Sequence, residues 1–205
     1  GGAAGSSGQQ NTALGTWSLS NITSGSTNTC VGHYAGTGIT TGSYNTCVGT
    51  HDTSQSTGNY NTSLGYHATP STAAASYEVT LGDYMVSALR CQQTSIASLS
   101  DERDKTNIVE SPYGLDFINS LKPRQFTWQP RDAEDPRVGK SQVGFIAQEL
   151  LESADGQNEL LDLVYDTNPD KLEAKAGNLI PILTQAIKDL SAKVDALEAK
   201  LGETV

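Results

Sequence analysis

Ser100 and Lys105 pair a hydroxyl nucleophile with an amine that could serve as its base. They begin and end the hexapeptide Ser-Asp-Glu-Arg-Asp-Lys, in which a hydroxyl precedes an amine by five positions. A serine hydroxyl attacks an amide only if a base takes its proton, and a lysine can be that base once burial has lowered its pKa. The two side chains meet only if the intervening residues make a turn. The hexapeptide therefore predicts a self-cutting Ser–Lys pair, but it also fits an ordinary helix start followed by solvated charges.

The chain before Ser100 and the chain after it differ in charge and composition, so different kinds of structure must hold the pair from its two sides. Of the 36 charged residues, only Asp52, Glu78, Asp83 and Arg90 precede Ser100. The chain before Ser100 is rich in Gly, Ser, Thr and Asn, whereas the chain after it has the mixed composition of a globular domain. We therefore predict three parts, which are a repeat-built segment over residues 1–85, an extended connector over 86–99 and a C-terminal domain over 100–205.

The first part carries the repeat Gly-x-x-Asn-Thr-x-(Leu/Val)-Gly, with a degenerate fifth copy that ends at Gly82. The repeated asparagines are spaced by 17, 17 and 16 residues and are Asn11, Asn28, Asn45 and Asn61. Such a period is too short for a helical repeat or a propeller blade, and it suits one coil of a β-solenoid or β-roll. Each coil has few apolar side chains, so we expect the roll to be trimeric, each chain being stabilised by two sister chains.

Residues that could be mistaken for a chemical site recur at fixed places in the repeat. Cys30 and Cys47 share one slot with Ala13 and Ser63, so we predict small core residues and no disulfide or metal site. Cys91 has no partner at a metal-ligand spacing. Two places after each closing glycine stands a ring, which predicts a stacked column; its members are Trp17, Tyr34, His51, His67 and Tyr84. A row of rings could also bind sugars, so a receptor-binding or glycan-binding fibre tip is one alternative function.

After Ser100 the pattern changes to that of an α+β domain. We predict a short helix over 113–120, a strand over 125–128, a second strand over 143–146, a helix over 147–152 and a third strand over 160–165. The C-terminal helix, over 178–202, has apolar residues at alternating spacings of three and four, as a coiled-coil seam requires. The seam consists of Ile180, Leu183, Ile187, Leu190, Val194, Leu197 and Leu201. Lys193 can face Glu198 of a neighbouring chain, although the seam could instead pack onto its own domain.

Two motifs of this half, taken together, resemble a known family. They are Ser-Asp-x-Arg-x-Lys at 100–105 and Gly-Phe-Ile-Ala-Gln-Glu at 144–149, with Gly-Leu-Asp-Phe-Ile, Leu-Lys-Pro and Phe-Thr-Trp between them. Their order and wording resemble the peptidase S74 family, the self-cleaving intramolecular chaperone at the C-terminus of bacteriophage tail spikes and fibres. More weakly, the repeat resembles the left-handed roll of trimeric autotransporter heads and of some phage fibre shafts.

The S74 resemblance implies a site and a mechanism. Ser100 would attack the carbonyl of Leu99, and Lys105 would act as the general base. Asp101 and Arg103 match the family motif and would have structural or electrostatic roles. Gln148 and Glu149 are candidates for lining the site or an interface, although structural packing would explain both. The family implies a trimer, whereas β-branched and leucine residues alternating along the seam would by themselves favour a dimer.

The remaining expectations concern partners and location. A net charge of −10 argues against phosphate-dependent binding of nucleic acid. The sequence has no run of 18 apolar residues, so it predicts no membrane-spanning helix. Nothing in the sequence indicates a metal or a cofactor. We expect a homotrimer attached to the rest of a fibre or spike, able to meet a host surface receptor, made in the host cytoplasm and carried on the virion. The other alternative is a structural trimerisation module that does not cut itself.

Overall fold

The structure is a computed structural model, which describes residues 7–50, 56–93 and 95–202. It divides into two compact units. The first comprises Gly1–Leu89, Pro130–Val138 and Thr167–Lys171, and the second comprises Arg90–Gln129, Gly139–Asp166 and Leu172–Val205. Two loops of the C-terminal half thus lie in the first unit.

The first unit is a parallel β-solenoid, with one short strand in each coil. The strands pair in sequence order, from β1 to β5, and each is three residues long. Their register follows the repeat, because Thr12, Thr29, Thr46, Thr62 and Val79 are successive partners. The strands are β1 (Thr12–Leu14), β2 (Thr29–Val31), β3 (Thr46–Val48), β4 (Thr62–Leu64) and β5 (Val79–Leu81). The mixed fold class, with a solenoid followed by an α+β part, is confirmed.

The glycine that closes each repeat lets neighbouring coils approach each other. Gly32 has φ +133°, and a Cβ on it would overlap the carbonyl oxygen of Gly49 in the next coil. A side chain there would be both strained and excluded by the stacked backbone. Glycine is therefore required by the coil geometry.

The asparagine of each repeat forms a buried ladder along the solenoid. Asn28, Asn45 and Asn61 are at most 1% exposed. The Asn45 side-chain amide donates to Asn28 Oδ1 at 3.1 Å and to the Gly58 carbonyl at 2.9 Å. Asn45 Oδ1 in turn accepts from the backbone N–H of Asn61 at 2.9 Å. The ladder satisfies backbone groups that the corners leave without strand partners.

The cysteines of the repeat are core residues, as predicted. Cys30 and Cys47 are partners in register on β2 and β3, both are buried, and neither forms a disulfide. Ala13 and Ser63 occupy the same slot on β1 and β4. The larger apolar side chains of this core are Leu19, Ile22 and Ile39.

The second unit combines short helices with two small antiparallel sheets. One sheet pairs β6 with β7, and the other pairs β8 with β9. The elements are α1 (Leu115–Ser120), β6 (Arg124–Thr127), β7 (Ser141–Gly144), α2 (Ala147–Ala154), α3 (Asn158–Leu161), β8 (Val164–Tyr165), β9 (Glu173–Ala174) and α4 (Leu179–Gly202). The predicted helices and the first two strands are present, with ends displaced by up to two residues.

The third predicted strand, over 160–165, is wrong in its first half. Residues Asn158–Leu161 form α3, and only Val164–Tyr165 is a strand. The Asn158 side chain bonds both the N–H and the carbonyl of Val164, at 3.1 and 3.0 Å. These two hydrogen bonds between residues six positions apart stabilise a helical turn at a place where the run of apolar residues predicted an extended strand.

The core of the second unit lies between α2, α3 and the start of α4. Its buried members are Leu150, Ala154, Leu161, Leu163, Val164, Leu179 and Ile182. The side chain of Asp189 on α4 accepts a hydrogen bond from Leu115 N at the start of α1, at 2.9 Å. This hydrogen bond lowers the pKa of Asp189. It fixes α1 against α4, because a carboxylate at a helix N-terminus satisfies an N–H without an intrahelical partner.

Candidate active site

A tight turn brings Lys105 back to Ser100. Residues Glu102–Asp104 form a single 3₁₀ turn, and the Lys105 N–H donates to the Glu102 carbonyl at 3.0 Å. Asp101 caps this turn by accepting from the N–H of Arg103 at 2.9 Å. The side-chain cap of Asp101 is the one expected if the hexapeptide were an ordinary helix start, but the helical turn ends after three residues.

Asp101 and Arg103 hold the turn together by an ion pair. The guanidinium of Arg103 donates to both carboxylate oxygens of Asp101, at 3.0 and 2.7 Å. The side-chain hydrogen bond from Arg103 is the main cause that lowers the pKa of Asp101. The pair lies between Ser100 and Lys105 in sequence, so it stiffens the segment that joins them.

The amine of Lys105 contacts the hydroxyl of Ser100. Lys105 Nζ hydrogen-bonds to Ser100 Oγ and also donates to the Ser100 carbonyl at 3.2 Å. A nucleophile and its base must be within hydrogen-bond reach, and these two are. Chemically, the arrangement could move the proton of the hydroxyl to the amine while the oxygen attacks a carbonyl.

Both side chains are exposed in the single chain, and so is the bond that would be cut. Leu99 has a relative exposure of 102%, and residues 86–93 and 95–101 contain neither helix nor strand. Burial of a lysine favours its neutral form, which is the form that can accept a proton. The described residues of this chain do not bury Lys105.

The Gly-Phe-Ile-Ala-Gln-Glu motif has a structural place in this chain. Glu149 on α2 forms a bidentate ion pair with Arg124 on β6, with an Nη2–Oε1 distance of 2.6 Å. Hydrogen bonding to the Arg124 guanidinium lowers the pKa of Glu149. Gln148 is exposed. Glu149 therefore fastens α2 to the β6–β7 sheet, and no contact with Ser100 is seen for either residue among the described ones.

The coiled-coil seam of α4 is exposed along its whole length. Its seven residues are between 43 and 70% exposed. The residues of α4 that pack onto the rest of the unit are Leu179, Ile182 and Ala186, which lie on another side of the helix. Within the single chain, the seam is thus not used for packing onto its own domain.

The aromatic column is described at its first two members. Trp17 and Tyr34 stack with a centroid distance of 6.4 Å and an interplanar angle of 13°. His51 lies outside the described residues. The ring centroids of His67 and Tyr66 lie 4.2 Å apart. Tyr84 lies near the carboxylate of Asp132.

The sequence analysis missed a second and more regular stack. The rings of Tyr44, Tyr60 and Tyr77 are parallel within 5°, with centroids 4.7 and 5.0 Å apart. Each tyrosine directly precedes the asparagine position of its repeat, which is the signal that could have revealed them. Their faces lie against each other, so the stack does not offer a row of open faces to a sugar ring.

Two kinds of site are not found in the described ranges. No group of three or more His, Cys, Asp or Glu side chains there is placed to hold a metal ion. Among the described helices, none has the length and apolar character needed to cross a membrane.

Fold and geometry together define a class of protein, a parallel solenoid joined to an α+β module that begins with a Ser–Lys contact. Residues 100–157 match the sequence model of the Peptidase_S74 family, described as the chaperone of endosialidase. The predicted S74 chaperone domain is confirmed over these residues. No curated protein and no solved structure matches the chain.

Proposed function

We propose that the C-terminal half is an intramolecular chaperone of a phage tail fibre or spike, which assembles three chains and then releases itself by cutting the Leu99–Ser100 bond. The observation that carries this proposal is the contact between Lys105 Nζ and Ser100 Oγ. It occurs at the first residues of the segment that matches the S74 family.

The reaction follows from the chemistry of the two side chains. Lys105 Nζ accepts the hydroxyl proton while Ser100 Oγ attacks the Leu99 carbonyl carbon. The Leu99–Ser100 C–N bond breaks, Lys105 returns the proton to the leaving Ser100 amine, and an ester joins Leu99 to Ser100 Oγ. Water then hydrolyses the ester to a Leu99 carboxylate and a free Ser100 hydroxyl. Because both groups belong to one short turn, orientation can supply about 7–11 kcal/mol of the barrier.

Assembly would activate this site. Lys105 is exposed in the single chain and needs a less polar surrounding to act as a base. Sister chains that cover the exposed connector would provide it. Cleavage would then follow trimerisation, so that an unassembled chain keeps its chaperone.

The exposed seam of α4 supports trimerisation. Seven apolar residues on one side of a helix would be left in water in a monomer. At that seam, Lys193 of one chain can pair with Glu198 of a neighbour. Bringing three chains into register lowers the loop-closure cost of winding a roll from non-local contacts.

Two loops of the C-terminal half support a templating role, because they belong to the unit of the solenoid. The Asn168 side-chain amide donates to the Ser71 carbonyl of the last coil at 2.8 Å. Burial and, after it, the nearby carboxylate of Asp132 raise the pKa of Tyr84, just after β5. The guanidinium of Arg131 bonds the Asp170 carbonyl and so joins the two loops. These contacts would hold the terminal coil of a solenoid, whose open end otherwise lacks a neighbour.

A second candidate is a trimerisation module that does not cut itself. The exposure of Lys105 and of Leu99 favours it, since the described residues of the single chain do not enclose the site. In either case we place the protein on the virion as part of a fibre, with the shaft joined to the fibre body and free to meet a host receptor.

The experiment is a denaturing gel with intact mass on the purified wild-type chain beside Ser100→Ala and Lys105→Ala. We expect fragments 1–99 and 100–205 from the wild type and a full-length band from both variants. Lys122→Ala is the matched control, because Lys122 is an exposed lysine paired with Glu152 at 2.7 Å and should not affect cutting. An uncut wild type that is trimeric by light scattering would leave only the structural module.

A further inference from the structure

One row of apolar side chains runs along the outside of the solenoid through all five coils. It consists of the last residue of each strand, which is Leu14, Val31, Val48, Leu64 and Leu81, and we call it the outer apolar row. The middle residue of each strand points into the core, so the first and last residues point outward. Leu14, Val48, Leu64 and Leu81 are 65, 42, 39 and 49% exposed.

The interior of the solenoid is thinnest at its C-terminal end. Leu19, Ile22 and Ile39 fill the first coils. After residue 56, the buried apolar residues of the described solenoid are Ala68 and Ala75, and the core slot holds the polar Ser63. The Ser63 hydroxyl has no hydrogen-bond partner among the described residues. The last coils therefore bury little apolar surface inside, while Leu64, Val79 and Leu81 stay exposed outside.

The outer apolar row is suited to a partner surface that also carries no charge. In residues 7–50 and 56–82, Glu78 is the one charged side chain, and its carboxylate is bonded to Ser71 N and Oγ at 2.7 and 2.6 Å. Chains that each carry a net charge of −10 repel one another, and a charge-free face is where they can approach.

The spacing of the outer apolar row identifies the partner. One apolar side chain follows another at the strand separation of about 4.8 Å. A second copy of this chain has the same spacing and the same apolar residues, so the two rows match coil for coil. We propose that the outer apolar row is the surface on which sister chains pack, and that this contact replaces the missing internal core of the last coils. The inference rests on the proposed assembly of chains, and it explains how a shaft would stay joined after losing the seam of α4.

The test is site-specific photo-crosslinking in the full chain, with Ser100→Ala to keep both halves joined. Benzoylphenylalanine replaces Leu64 in one protein and Thr57 in the control, because Thr57 is also exposed in the fourth coil but lies outside the row. A third protein carries the probe at Val48, in case the first folds poorly. Light scattering measures the mass of each protein before illumination.

We expect a trimer in which the probe at Leu64 or Val48 links sister chains through residues of the solenoid, and in which Thr57 gives no such link. A trimer with no crosslink from either row position, or with equal yield from Thr57, would overturn this inference and leave the proposed chaperone intact. A monomer would overturn both the inference and the proposed assembly.

Discussion

Replacing Asn45 by alanine tests the physical account of the solenoid most directly. Asn45 is 1% exposed and lies at the middle of the asparagine ladder. Its side chain satisfies the backbone N–H of Asn61 and the carbonyl of Gly58, each at 2.9 Å. Alanine removes both interactions and leaves two buried polar groups without a partner.

The expected loss of stability follows from the number of buried polar groups that lose their hydrogen-bond partner. Each buried polar group left unsatisfied costs about 1–3 kcal/mol, so the two groups give about 2–6 kcal/mol of lost stability. The cavity left by the amide adds to this value. Since the free energy of unfolding of a domain is about 5–15 kcal/mol, Asn45→Ala should destabilise the solenoid severely.

The assay is guanidinium unfolding in the Ser100→Ala background at one fixed protein concentration, followed by circular dichroism. Thr57→Ala is the control, because this exposed residue lies in the next coil. Asn45→Asp adds a second comparison. It keeps the acceptor for Asn61 but puts a carboxylate against the Gly58 carbonyl.

The aspartate variant should have a pH dependence of defined sign. A buried carboxylate facing another oxygen has a raised pKa, so folding favours its protonated form, and its stability should increase as pH falls. The reasoning would be refuted if Asn45→Ala lost no more stability than Thr57→Ala, or if Asn45→Asp were as stable as wild type at neutral pH.

Three further predictions concern the C-terminal unit. Leu163→Ala should lower its free energy of unfolding by about 2–5 kcal/mol, because Leu163 is fully buried, and calorimetry in the uncut background measures this. The pKa of Asp189 is lowered from its ordinary 3.8 by the Leu115 N–H, so this hydrogen bond stabilises the fold above pH 3.8 and is lost as pH falls below it. Unfolding curves of Asp189→Ala should therefore show a smaller loss between pH 5 and pH 2 than those of wild type, and parallel curves would contradict this. Glu149→Gln and Arg124→Ala should weaken the unit to a similar extent and leave cleavage on the gel unchanged, since the pair fixes α2 to β6.

The elements with a local signal could be predicted from the amino-acid sequence. The spacing of the asparagines defines one coil, and each coil repeats the same short strand, so the parallel register follows from the repeat. The five-residue spacing of Ser100 and Lys105 required a turn, and the structure has one at Glu102–Asp104. The helix α4 could also be predicted from the sequence, because its apolar residues repeat with a helical period over the whole segment.

Which faces of these elements are buried depends on tertiary packing. The apolar positions of α4 could all have packed inward, but Leu179, Ile182 and Ala186 do so while the seam stays in water. The prediction of a third strand was wrong in its first half because the Asn158 side chain bonds the backbone of Val164. Such a hydrogen bond cannot be read from the hydropathy of the sequence. Likewise, the ion pair of Glu149 joins residues that are 25 positions apart. Local patterns determine period and type of element, whereas burial, orientation and long-range partners depend on how the elements meet.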